Sequence, residues 1–418
     1  MLVNRTPAVY LKAVPSSSRI THSETKKVAS ARLILLGAGH AHLLLTERLD
    51  QLREAGIAPT LIAPRWFAYS GLATGVLSGA LPHGANRIDV AELAQRCGLA
   101  FVEGLAVGID RGARTVSLAD GSTQGYDLLS LNIGSVVTCG IEGGQSPFRK
   151  ARKGAFPSLF RPAPPAQPPI YGTLWAVGPG ERDGTGCFET DSQVWPVKPL
   201  TTLAALREYI AIQPRFPSIL IVGTGPSGTE IAAALLGLAE RMGAVPQITL
   251  AGRTPCGGRA WRALLASLER RGLRLHRDAS PVPPHDLTIA ATGLAAPGLV
   301  REAGLATTAG GGAAIAATLQ SVVDPAIFAV GDCADFVPRA LPRQGVFGVR
   351  QAPVLARNLV AAAQGRPLER YRPQRRWLAI MDLGDETGFA TWGPFALRSR
   401  LMLRWKRRLD RSFLRRFA

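Results

Sequence analysis

The chain has 418 residues, of which 46% are hydrophobic and 19% charged, so it has room for two or three domains with apolar cores. No stretch approaches the ~18 uninterrupted apolar residues of a membrane-spanning helix, so we do not expect an integral membrane protein. A disulfide framework or a metal site is also not expected, because the cysteines show neither CxxC nor Cys/His zinc spacing; they are Cys97, Cys139, Cys187, Cys256 and Cys333.

Residues 1–30 are basic and rich in Ser and Thr but lack the apolar stretch of a secretory signal. They are interpreted as a flexible extension of a cytoplasmic protein, with a transit peptide as the alternative. Much of the net charge of +19 lies at the other end, where nine Lys or Arg and one acid, Asp410, fall between Arg398 and Ala418. That distribution favours an anionic membrane surface over nucleic acid.

Residues 31–135 predict a first βαβ unit with additional short strands. Its apolar strand runs into the turn Gly37-Ala38-Gly39, and the segment ends at Asn132-Ile133-Gly134-Ser135. The predicted elements are strands at 33–36, 60–63, 100–107 and 115–118 and helices at 43–55 and 90–97. Residues 136–194 have little periodicity and are predicted to be a Pro/Gly-rich, partly disordered insertion.

Residues 195–293 predict a second unit of the same kind around Gly223-Thr224-Gly225-Pro226-Ser227-Gly228. The predicted elements are helices at 201–210, 229–242 and 260–271 and strands at 219–222, 247–251, 273–276 and 287–290. A strand at 327–330 follows, with a helix after Arg350 and then the basic tail. The strand before Gly331-Asp332 has no place left in the second unit, so the two units are predicted to be nested.

The predicted fold class is therefore α/β, with two nested Rossmann-like dinucleotide-binding domains and a C-terminal basic amphipathic helix. The predicted FAD-binding domain is discontinuous and comprises residues 31–135 and 294–365. The NAD(P)-binding domain is placed at 195–293, and a membrane-associating region at 366–418.

The first turn is the predicted FAD site. Gly37 and Gly39 allow a tight turn and the approach of a pyrophosphate to the start of a helix, where His40 and His42 are candidate phosphate contacts. The third glycine position is His42, and Ala63-Pro64-Arg65 stands where an acid commonly holds a ribose. A glycine turn of another α/β fold is the alternative, as is a histidine that only packs.

The second turn has glycine at all three positions, Gly223, Gly225 and Gly228, and Glu230 follows on the helix. Arg253, at the end of the next strand, could meet the 2′-phosphate of NADPH. Because an ordinary surface arginine explains it nearly as well, the predicted cofactor stays NAD(P)H.

Further cofactor contacts are predicted where strands end. Asp332 could accept hydrogen bonds from the ribityl hydroxyls of FAD, or it could simply cap the next helix. Lys198 is the candidate catalytic residue, because an ammonium near the flavin would stabilise the anion of the reduced ring; an ordinary solvated lysine is the alternative. Cys333 is assigned no catalytic role. The remaining predicted cofactor-binding residues are Ser70, Gly134, Gly293 and Gly331.

In the tail, five apolar residues recur every three or four positions among arginines, which is typical of a helix that lies in a membrane interface. The stripe comprises Met402, Trp405, Leu409, Phe413 and Phe417. A C-terminal helix docked on the protein is the alternative.

The sequence resembles the flavoprotein group of type II NADH dehydrogenases and sulfide:quinone reductases, within the wider pyridine nucleotide-disulfide oxidoreductases. It is most similar to the NADH-dehydrogenase-like module found fused to selenide water dikinase. The segments that carry the resemblance are Gly37 to His42, Tyr69-Ser70-Gly71, Tyr126 to Ser130, Pro196-Val197-Lys198-Pro199, Val349-Arg350-Gln351 and Tyr371 to Arg376. The resemblance implies FAD, a reduced nicotinamide donor and a quinone-like acceptor, although Val346 stands where the quinone-approaching segment of the dehydrogenases has Gln.

The predicted function is thus an FAD-dependent oxidoreductase, peripheral on the inner face of the cell membrane, that passes electrons from NAD(P)H to a quinone or similar acceptor. A sulfide or selenium-compound oxidoreductase is one alternative and would need a reactive cysteine near the flavin. A flavin-binding interaction or sensor protein without turnover is the other.

Overall fold

The computed structural model describes residues 30–137, 193–252, 258–277 and 282–417, which form a mixed α/β molecule with two parallel sheets. The first strands are β1 (Ala31–Leu36), β2 (Ile57–Ala63), β3 (Trp66–Ala68), β4 (Arg87–Asp89), β5 (Ala100–Glu103), β6 (Ala106–Asp110), β7 (Thr115–Leu118), β8 (Thr123–Gly125), β9 (Leu128–Leu131) and β10 (Val136–Val137). The later strands are β11 (Gln193–Pro196), β12 (Ser218–Val222), β13 (Gln247–Ala251), β14 (Leu273–His276), β15 (Leu287–Ala290), β16 (Leu294–Ala295), β17 (Ala313–Ile315), β18 (Ile327–Ala329), β19 (Ala334–Phe336), β20 (Leu378–Asp382), β21 (Gly388–Trp392) and β22 (Phe395–Ser399). The helices are α1 (His40–Leu45), α2 (Leu49–Glu54), α3 (Ala73–Leu77), α4 (Val90–Arg96), α5 (Thr201–Ala211), α6 (Pro226–Arg241), α7 (Arg259–Glu269), α8 (Leu299–Glu302), α9 (Gly345–Ala363) and α10 (Arg400–Leu414).

The first sheet has the strand order β18-β9-β1-β2-β5, and its paired strands are all parallel. From Leu33 to Leu36 its central strand β1 is a continuous, buried apolar run, as in parallel sheets that are covered on both faces. The carboxyl ends of parallel strands meet at one edge, and the order reverses at β1, between β9 and β2. Ligands of open α/β sheets bind at such a point, and the turn Gly37 to Gly39 stands there.

The second sheet has the order β11-β15-β12-β13-β14, and its pairs are also parallel. Here the order reverses at β12, between β15 and β13, and the turn Gly223 to Gly225 follows β12. Thus each glycine turn lies at the reversal point of its own sheet.

The described residues form two hydrophobic clusters, one around each sheet. Strands β20, β21 and β22 form an antiparallel sheet, from which Met381 and Phe389 join the cluster of the second sheet. Smaller pairings complete the fold: antiparallel β6-β7-β8, β3-β4 and β10-β16, and parallel β17-β19. No helix in the described ranges is both long and apolar enough to cross a membrane.

The α/β class and the predicted strands of both sheets are confirmed, with differences at element ends. The helix predicted at 43–55 starts earlier, at His40, and is interrupted by the 3-10 turn Thr46–Arg48. The strand predicted at 100–107 divides into β5 and β6, which belong to different sheets. The sheet β20-β21-β22 was not predicted from the sequence. Residues 1–29 and 138–192, which hold most of the predicted extension and insertion, lie outside the described residues.

Candidate functional site

The first glycine turn packs against the chain that leaves β9. Gly37 has φ +87°, and a Cβ there would lie 2.6 Å from the carbonyl oxygen of Asn132. A Cβ at Gly39 would lie 2.4 Å from Oδ1 of the same Asn132. Both positions therefore require glycine for close packing of the protein on itself, before any ligand is considered.

Asn132 was not predicted as a site residue, and it joins the three strand ends of this edge. Its Oδ1 accepts hydrogen bonds from the backbone N–H groups of Ala41 at 3.0 Å and His42 at 3.3 Å, so it caps the start of α1. Its Nδ2 donates to the carbonyl of Val330 at 2.9 Å. The sequence feature that could have identified Asn132 is its position directly after the buried strand β9, because the carboxyl ends of parallel strands meet at one edge of the sheet.

His42 is buried, and both ring nitrogens have protein partners. Nδ1 lies 2.6 Å from the carbonyl oxygen of Gly37, and Nε2 lies 2.8 Å from Oγ of Ser130. A carbonyl can only accept, so Nδ1 carries the proton and Nε2 accepts from the hydroxyl. Burial lowers the pKa of His42 to about 4, despite the hydrogen bond to Gly37. The prediction that this side chain contacts a flavin phosphate is therefore corrected, because neither ring nitrogen is left for a ligand.

His40 is the histidine of this turn that keeps its ring nitrogens available. Neither makes a hydrogen bond within the described residues, and the ring packs among Phe67, Tyr69 and Phe413 at centroid distances of 5.4–5.5 Å. Burial lowers its pKa to about 4, with Asp332 opposing that change. His40 can therefore offer a neutral hydrogen bond to a ligand, but not a positive charge at neutral pH.

The predicted residues Asp332 and Lys198 lie together at the carboxyl edge of the first sheet. Lys198 Nζ donates to Asp332 Oδ2 at 2.7 Å and to Ser135 Oγ at 2.6 Å, and Ser135 Oγ donates to the same Oδ2 at 2.8 Å. Burial alone would raise the pKa of Asp332, but the charge and hydrogen bond of Lys198 and the hydrogen bond of Ser135 bring it below its usual value. Oδ1 of Asp332 has no partner among the described residues and can accept a hydrogen bond from a ligand.

The loop that carries Asp332 is held from three sides. The N–H of Gly331, which has φ +70°, donates to Gln351 Oε1 at 2.7 Å. Arg343 Nε donates to the carbonyl of Asp332 at 3.0 Å, and Asn132 holds the preceding Val330. Arg343 and Gln351 were not predicted as site residues, although Val349-Arg350-Gln351 carries part of the family resemblance, because both contacts depend on how α9 and the loop before it pack against the first sheet.

At the second turn, the three glycines have different structural roles. Gly223 has φ +124°, and a Cβ there would lie 2.2 Å from the carbonyl oxygen of Ala291. A Cβ at Gly228 would lie 1.9 Å from the carbonyl oxygen of Gly223, so the helix packs directly on the turn. A Cβ at Gly225 would meet nothing within 4 Å. This is the division expected of a dinucleotide fingerprint, with the middle glycine left open to a ligand.

Other predicted contacts of the two turns are placed unevenly. Gly134 follows β9 with φ +75° and open space beside it, and Gly293 follows β15 with φ +145°. Glu230 Oε1 instead accepts from Thr74 Oγ1 at 3.0 Å and from the N–H of Asp382 at 3.1 Å. Burial raises the pKa of Glu230. Its carboxylate therefore joins α6 to α3 and β20, and a nucleotide contact stays a prediction, as does that of Arg253, which lies outside the described residues.

Helix α10 packs against the first glycine turn. Phe413 stacks on Tyr69 at a centroid distance of 4.8 Å, and Tyr69 donates a hydrogen bond to Asp410 Oδ1 at 2.8 Å. Lys406 forms a buried ion pair with Asp410 at 2.8 Å and also donates to the carbonyl of Gly71. The predicted contact Ser70 lies between these two docking points and is exposed.

The apolar stripe predicted in the tail is thus divided between two faces. Phe417 is 2% exposed and Phe413 packs against His40 and Tyr69, so these two face the protein rather than a membrane. The exposed apolar residues include three along one face of α10 and three in the preceding hairpin. We call these six the outer apolar face: Trp392, Phe395, Leu397, Leu401, Trp405 and Leu409.

The two described cysteines show no sign of redox function. Cys333 is fully buried, its thiol donates to the carbonyls of Val330 and Leu131, and burial raises its pKa to about 12. Cys97 follows α4 and is partly buried. Cys139, Cys187 and Cys256 lie outside the described residues.

Solved structures share this architecture. The sulfide:quinone oxidoreductase of Aquifex aeolicus aligns over 92% of this chain and 91% of its own, with a TM-score of 0.67 and 16% identity. The ferredoxin reductase of Rhodopseudomonas palustris aligns over 88% and 91%, with a TM-score of 0.60 and 16% identity. The chain has the fold of these oxidoreductases.

A third neighbour is the water-forming NADH oxidase of Lactobacillus brevis, solved with NADH. It aligns over 87% of this chain and 75% of its own, with a TM-score of 0.60 and 17% identity. No family model and no curated relative matches the sequence. At these identities, the likeness establishes the fold.

Proposed function

We propose that the chain is an FAD-dependent oxidoreductase that takes electrons from NAD(P)H and passes them to a quinone or a similar acceptor at a membrane surface. The observation that carries the proposal is the group Asp332, Lys198 and Ser135, beside a glycine turn at the reversal point of one parallel sheet. A second glycine turn, with an open middle position, stands at the reversal point of the other sheet. Two dinucleotides can then meet between the sheets.

The residues of the first turn fit FAD. Gly37 and Gly39 bring the backbone to the start of α1, where a pyrophosphate binds favourably. Asp332 is a short, ionised side chain whose Oδ1 has no partner among the described residues, which suits the hydroxyls of a ribityl chain. His40 keeps ring nitrogens available, and Gly134 leaves open space beside the backbone. The FAD would supply the hydride chemistry, and the protein would position and polarise it.

The residues of the second turn fit NAD(P)H. The open position at Gly225 lets a pyrophosphate approach the start of α6, a helix of 16 residues that begins with Pro226. We also propose that the two domains are nested. The strand β18, which precedes Asp332, pairs with β9 of the first sheet although it follows the second sheet in sequence. Arg253 after β13 would favour NADPH if its guanidinium meets the 2′-phosphate, and an ordinary surface arginine there would favour neither nucleotide.

Lys198 is the proposed catalytic residue. It follows β11 of the second sheet, while its ammonium contacts Asp332 and Ser135 of the first, so it lies at the junction of the two modules. An ammonium at this point can stabilise negative charge that develops on a reduced flavin ring. We expect Lys198→Met to lower the rate of flavin reduction by about tenfold to a thousandfold with FAD still bound; rapid-mixing absorbance measures it, and Lys198→Arg should retain part of the rate.

The test of the donor assignment is an anaerobic spectrum of the purified protein. NADH or NADPH should bleach the bound flavin, and a quinone added afterwards should restore the colour. If neither nucleotide bleaches the flavin, the donor is wrong, and the flavin-binding sensor without turnover becomes the better reading. If bleaching occurs and no quinone restores the colour, the acceptor is wrong.

Membrane association is proposed from the outer apolar face. Its six side chains are 45–65% exposed, and the exposed arginines Arg404, Arg408, Arg411 and Arg415 accompany it along α10. Apolar side chains with flanking arginines bind anionic bilayers by burial and by charge. Because the opposite face of α10 packs on Tyr69 and His40, an acceptor dissolved in the membrane would reach the protein close to the first glycine turn.

The double variant Trp405→Ser with Leu409→Ser should lose binding to vesicles of anionic lipid without loss of fold, since both side chains point outward. Met242→Ser, which removes an apolar residue of similar exposure from the second module, is the matched control. Co-sedimentation with vesicles measures the effect. Equal binding by the double variant would exclude this face. Deletion of the whole helix is a poorer test because it would also remove the buried Leu403 and Phe417.

A sulfide or selenium-compound oxidoreductase is the second candidate. It is favoured by neighbours solved as the sulfide:quinone oxidoreductase and as an NAD-dependent persulfide reductase of A. fulgidus, the latter with a TM-score of 0.59 and 17% identity. Neither described cysteine offers the thiol, so the chemistry would depend on Cys139, Cys187 or Cys256. Turnover that is abolished by thiol alkylation and protected by substrate would favour this candidate.

A further inference from the structure

Two adjoining cavities lie on the outer side of α9. The larger has a volume of about 770 Å³ and is lined by Val349, Arg350, Pro353, Val354, Glu369, Arg370, Tyr371, Arg372 and Gln374. The smaller, of about 440 Å³, shares Arg370, Tyr371 and Arg372 with it. Both volumes are within the range of small-molecule sites. The segment from Arg370 to Arg372 forms their common wall.

The lining is strongly basic. Arginines reach these cavities from α9, from the segment after it and from the loop after β19; they are Arg339, Arg350, Arg370, Arg372 and Arg375. The acid among the lining residues, Glu369, is already paired with Arg357 through two hydrogen bonds of 2.5 and 3.0 Å. Within the described residues, no acidic side chain pairs with any of the five arginines. The cavities therefore carry uncompensated positive charge, which favours the binding of an anion.

Beneath the cavity wall, two lining residues contain buried polar atoms that lack partners among the described residues. Tyr371 is 5% exposed, and its hydroxyl is buried without a hydrogen bond in the described structure. Both amide atoms of Gln374 are buried and unpaired as well. Burial raises the pKa of Tyr371, while the nearby charges of Arg350 and Arg339 oppose that change, so two of the arginines lie close enough to act on this hydroxyl. Unpaired buried polar atoms are rare in native proteins and call for a ligand or water.

We propose that these cavities bind a phosphate-bearing ligand, at a site separate from both glycine turns. Guanidinium groups match phosphate oxygens in pairs of parallel hydrogen bonds. A phosphate monoester or a pyrophosphate carries about two or more negative charges at neutral pH. It therefore balances the charge of the lining arginines better than a single carboxylate does. The Tyr371 hydroxyl and the Gln374 amide are covered in the described structure, and on ligand binding they would turn to the phosphate and donate to its oxygens.

Calorimetric titration with inorganic pyrophosphate tests the site. The protein carries FAD and a saturating concentration of oxidised nicotinamide dinucleotide, so that both glycine turns are filled. We expect one pyrophosphate to bind per chain in addition to the two dinucleotides. The double variant Arg350→Gln with Arg372→Gln should weaken it by about tenfold or more, because hydrogen bonds from charged groups are lost. Arg301→Gln, which removes an exposed arginine of α8, is the matched control and should bind as the unmodified protein does.

Tyr371→Phe separates a ligand site from a structural role. Without pyrophosphate this variant should unfold at the same or a higher temperature, because it removes an unpaired buried hydroxyl. With pyrophosphate it should bind several-fold more weakly. A merely structural hydroxyl would give equal affinity.

The source of the phosphate is decided by a second arm with vesicles. The Trp405→Ser and Leu409→Ser background removes the proposed apolar anchor, and phosphatidic acid vesicles are compared with phosphatidylcholine vesicles. Binding of phosphatidic acid that depends on Arg350 and Arg372, without binding of free pyrophosphate, would identify a lipid head group. The proposal is overturned if neither probe binds, or if the variant with Arg350→Gln and Arg372→Gln binds as well as Arg301→Gln does. Flavin bleaching by NAD(P)H is measured separately, so failure of this site leaves the proposed function untouched.

Discussion

At the first glycine turn, His42 occupies the third position of the fingerprint, and its Nδ1 lies 2.6 Å from the carbonyl oxygen of Gly37. At the second turn, Gly228 occupies that position, and its missing Cβ would lie 1.9 Å from the carbonyl oxygen of Gly223. The third residue thus meets the carbonyl of the first residue in both turns. One turn makes the contact by a side-chain hydrogen bond, and the other by direct backbone packing.

The middle glycines differ in the opposite sense. Gly39 has the Asn132 side chain where a Cβ would be, and that side chain caps α1. Gly225 faces open space and, as the N-cap of α6, has no side chain of its own to cap that helix. The first turn is therefore fixed by its own protein contacts, which suits a cofactor that stays bound. The middle position of the second turn is open, which suits a nucleotide that enters and leaves.

The largest effect is expected from Gly228→Ala. The new methyl group would overlap a backbone oxygen that cannot rotate away, so we expect a loss of about 3 kcal/mol or more in the free energy of unfolding of the second module. Urea denaturation measures it. Gly225→Ala is the matched control: its stability should fall by no more than about 1 kcal/mol, while the KM for NAD(P)H rises. Equal destabilisation by the two variants would contradict this division of roles.

His42→Ala should have the next largest effect. It removes two hydrogen bonds, leaves Gly37 and Ser130 without a partner and opens a cavity, for a cost of about 3 kcal/mol in the first module. Ser130→Ala breaks only one of these bonds and should cost about 1–2 kcal/mol. Thermal unfolding and FAD retention are measured together. A variant with His42→Ala that keeps its stability would show that the histidine does not replace the packing found at Gly228.

Asn132→Ala should cost less, about 2 kcal/mol, because it removes the cap of α1 and the bond to Val330 in a partly yielding loop. Since Val330 precedes Gly331 and Asp332, FAD should also dissociate faster, and loss of flavin fluorescence quenching can follow this. Thr292→Ala, at the equivalent edge of the second sheet, should leave FAD release unchanged. Unaltered FAD release in Asn132→Ala would mean that Asn132 serves α1 alone.

The strands of the two parallel sheets and both glycine turns were predicted from apolar runs and glycine spacing, whereas β20, β21 and β22 were missed. The sequence singled out Asp332 by its position after an apolar strand and a glycine, and Lys198 by its position just before the second glycine unit. It could not predict that Lys198 pairs with Asp332, because 134 residues separate them and only the meeting of two sheets joins them. The sequence also could not predict that His42 bonds within the protein rather than to a ligand, because its partner Ser130 is 88 positions away. Local periodicity likewise placed Phe413 and Trp405 on one stripe, whereas in the folded protein Phe413 is partly buried against Tyr69 and Trp405 is 45% exposed.

The last prediction uses acid to separate the two turns. The pKa of His42 is about 4 in the folded protein and about 6.5 in the unfolded chain, so the unfolded chain binds the proton first as pH falls. The stability that the neutral, buried ring contributes is therefore complete above pH ~6.5 and is lost between pH ~6.5 and ~4, by up to about 1.4 kcal/mol per pH unit. Urea unfolding curves across this range should fall more steeply for the native protein than for His42→Gln, which has no titrating group. Parallel pH profiles would show that His42 is as accessible to protons when folded as when unfolded, and that the first turn is open like the second.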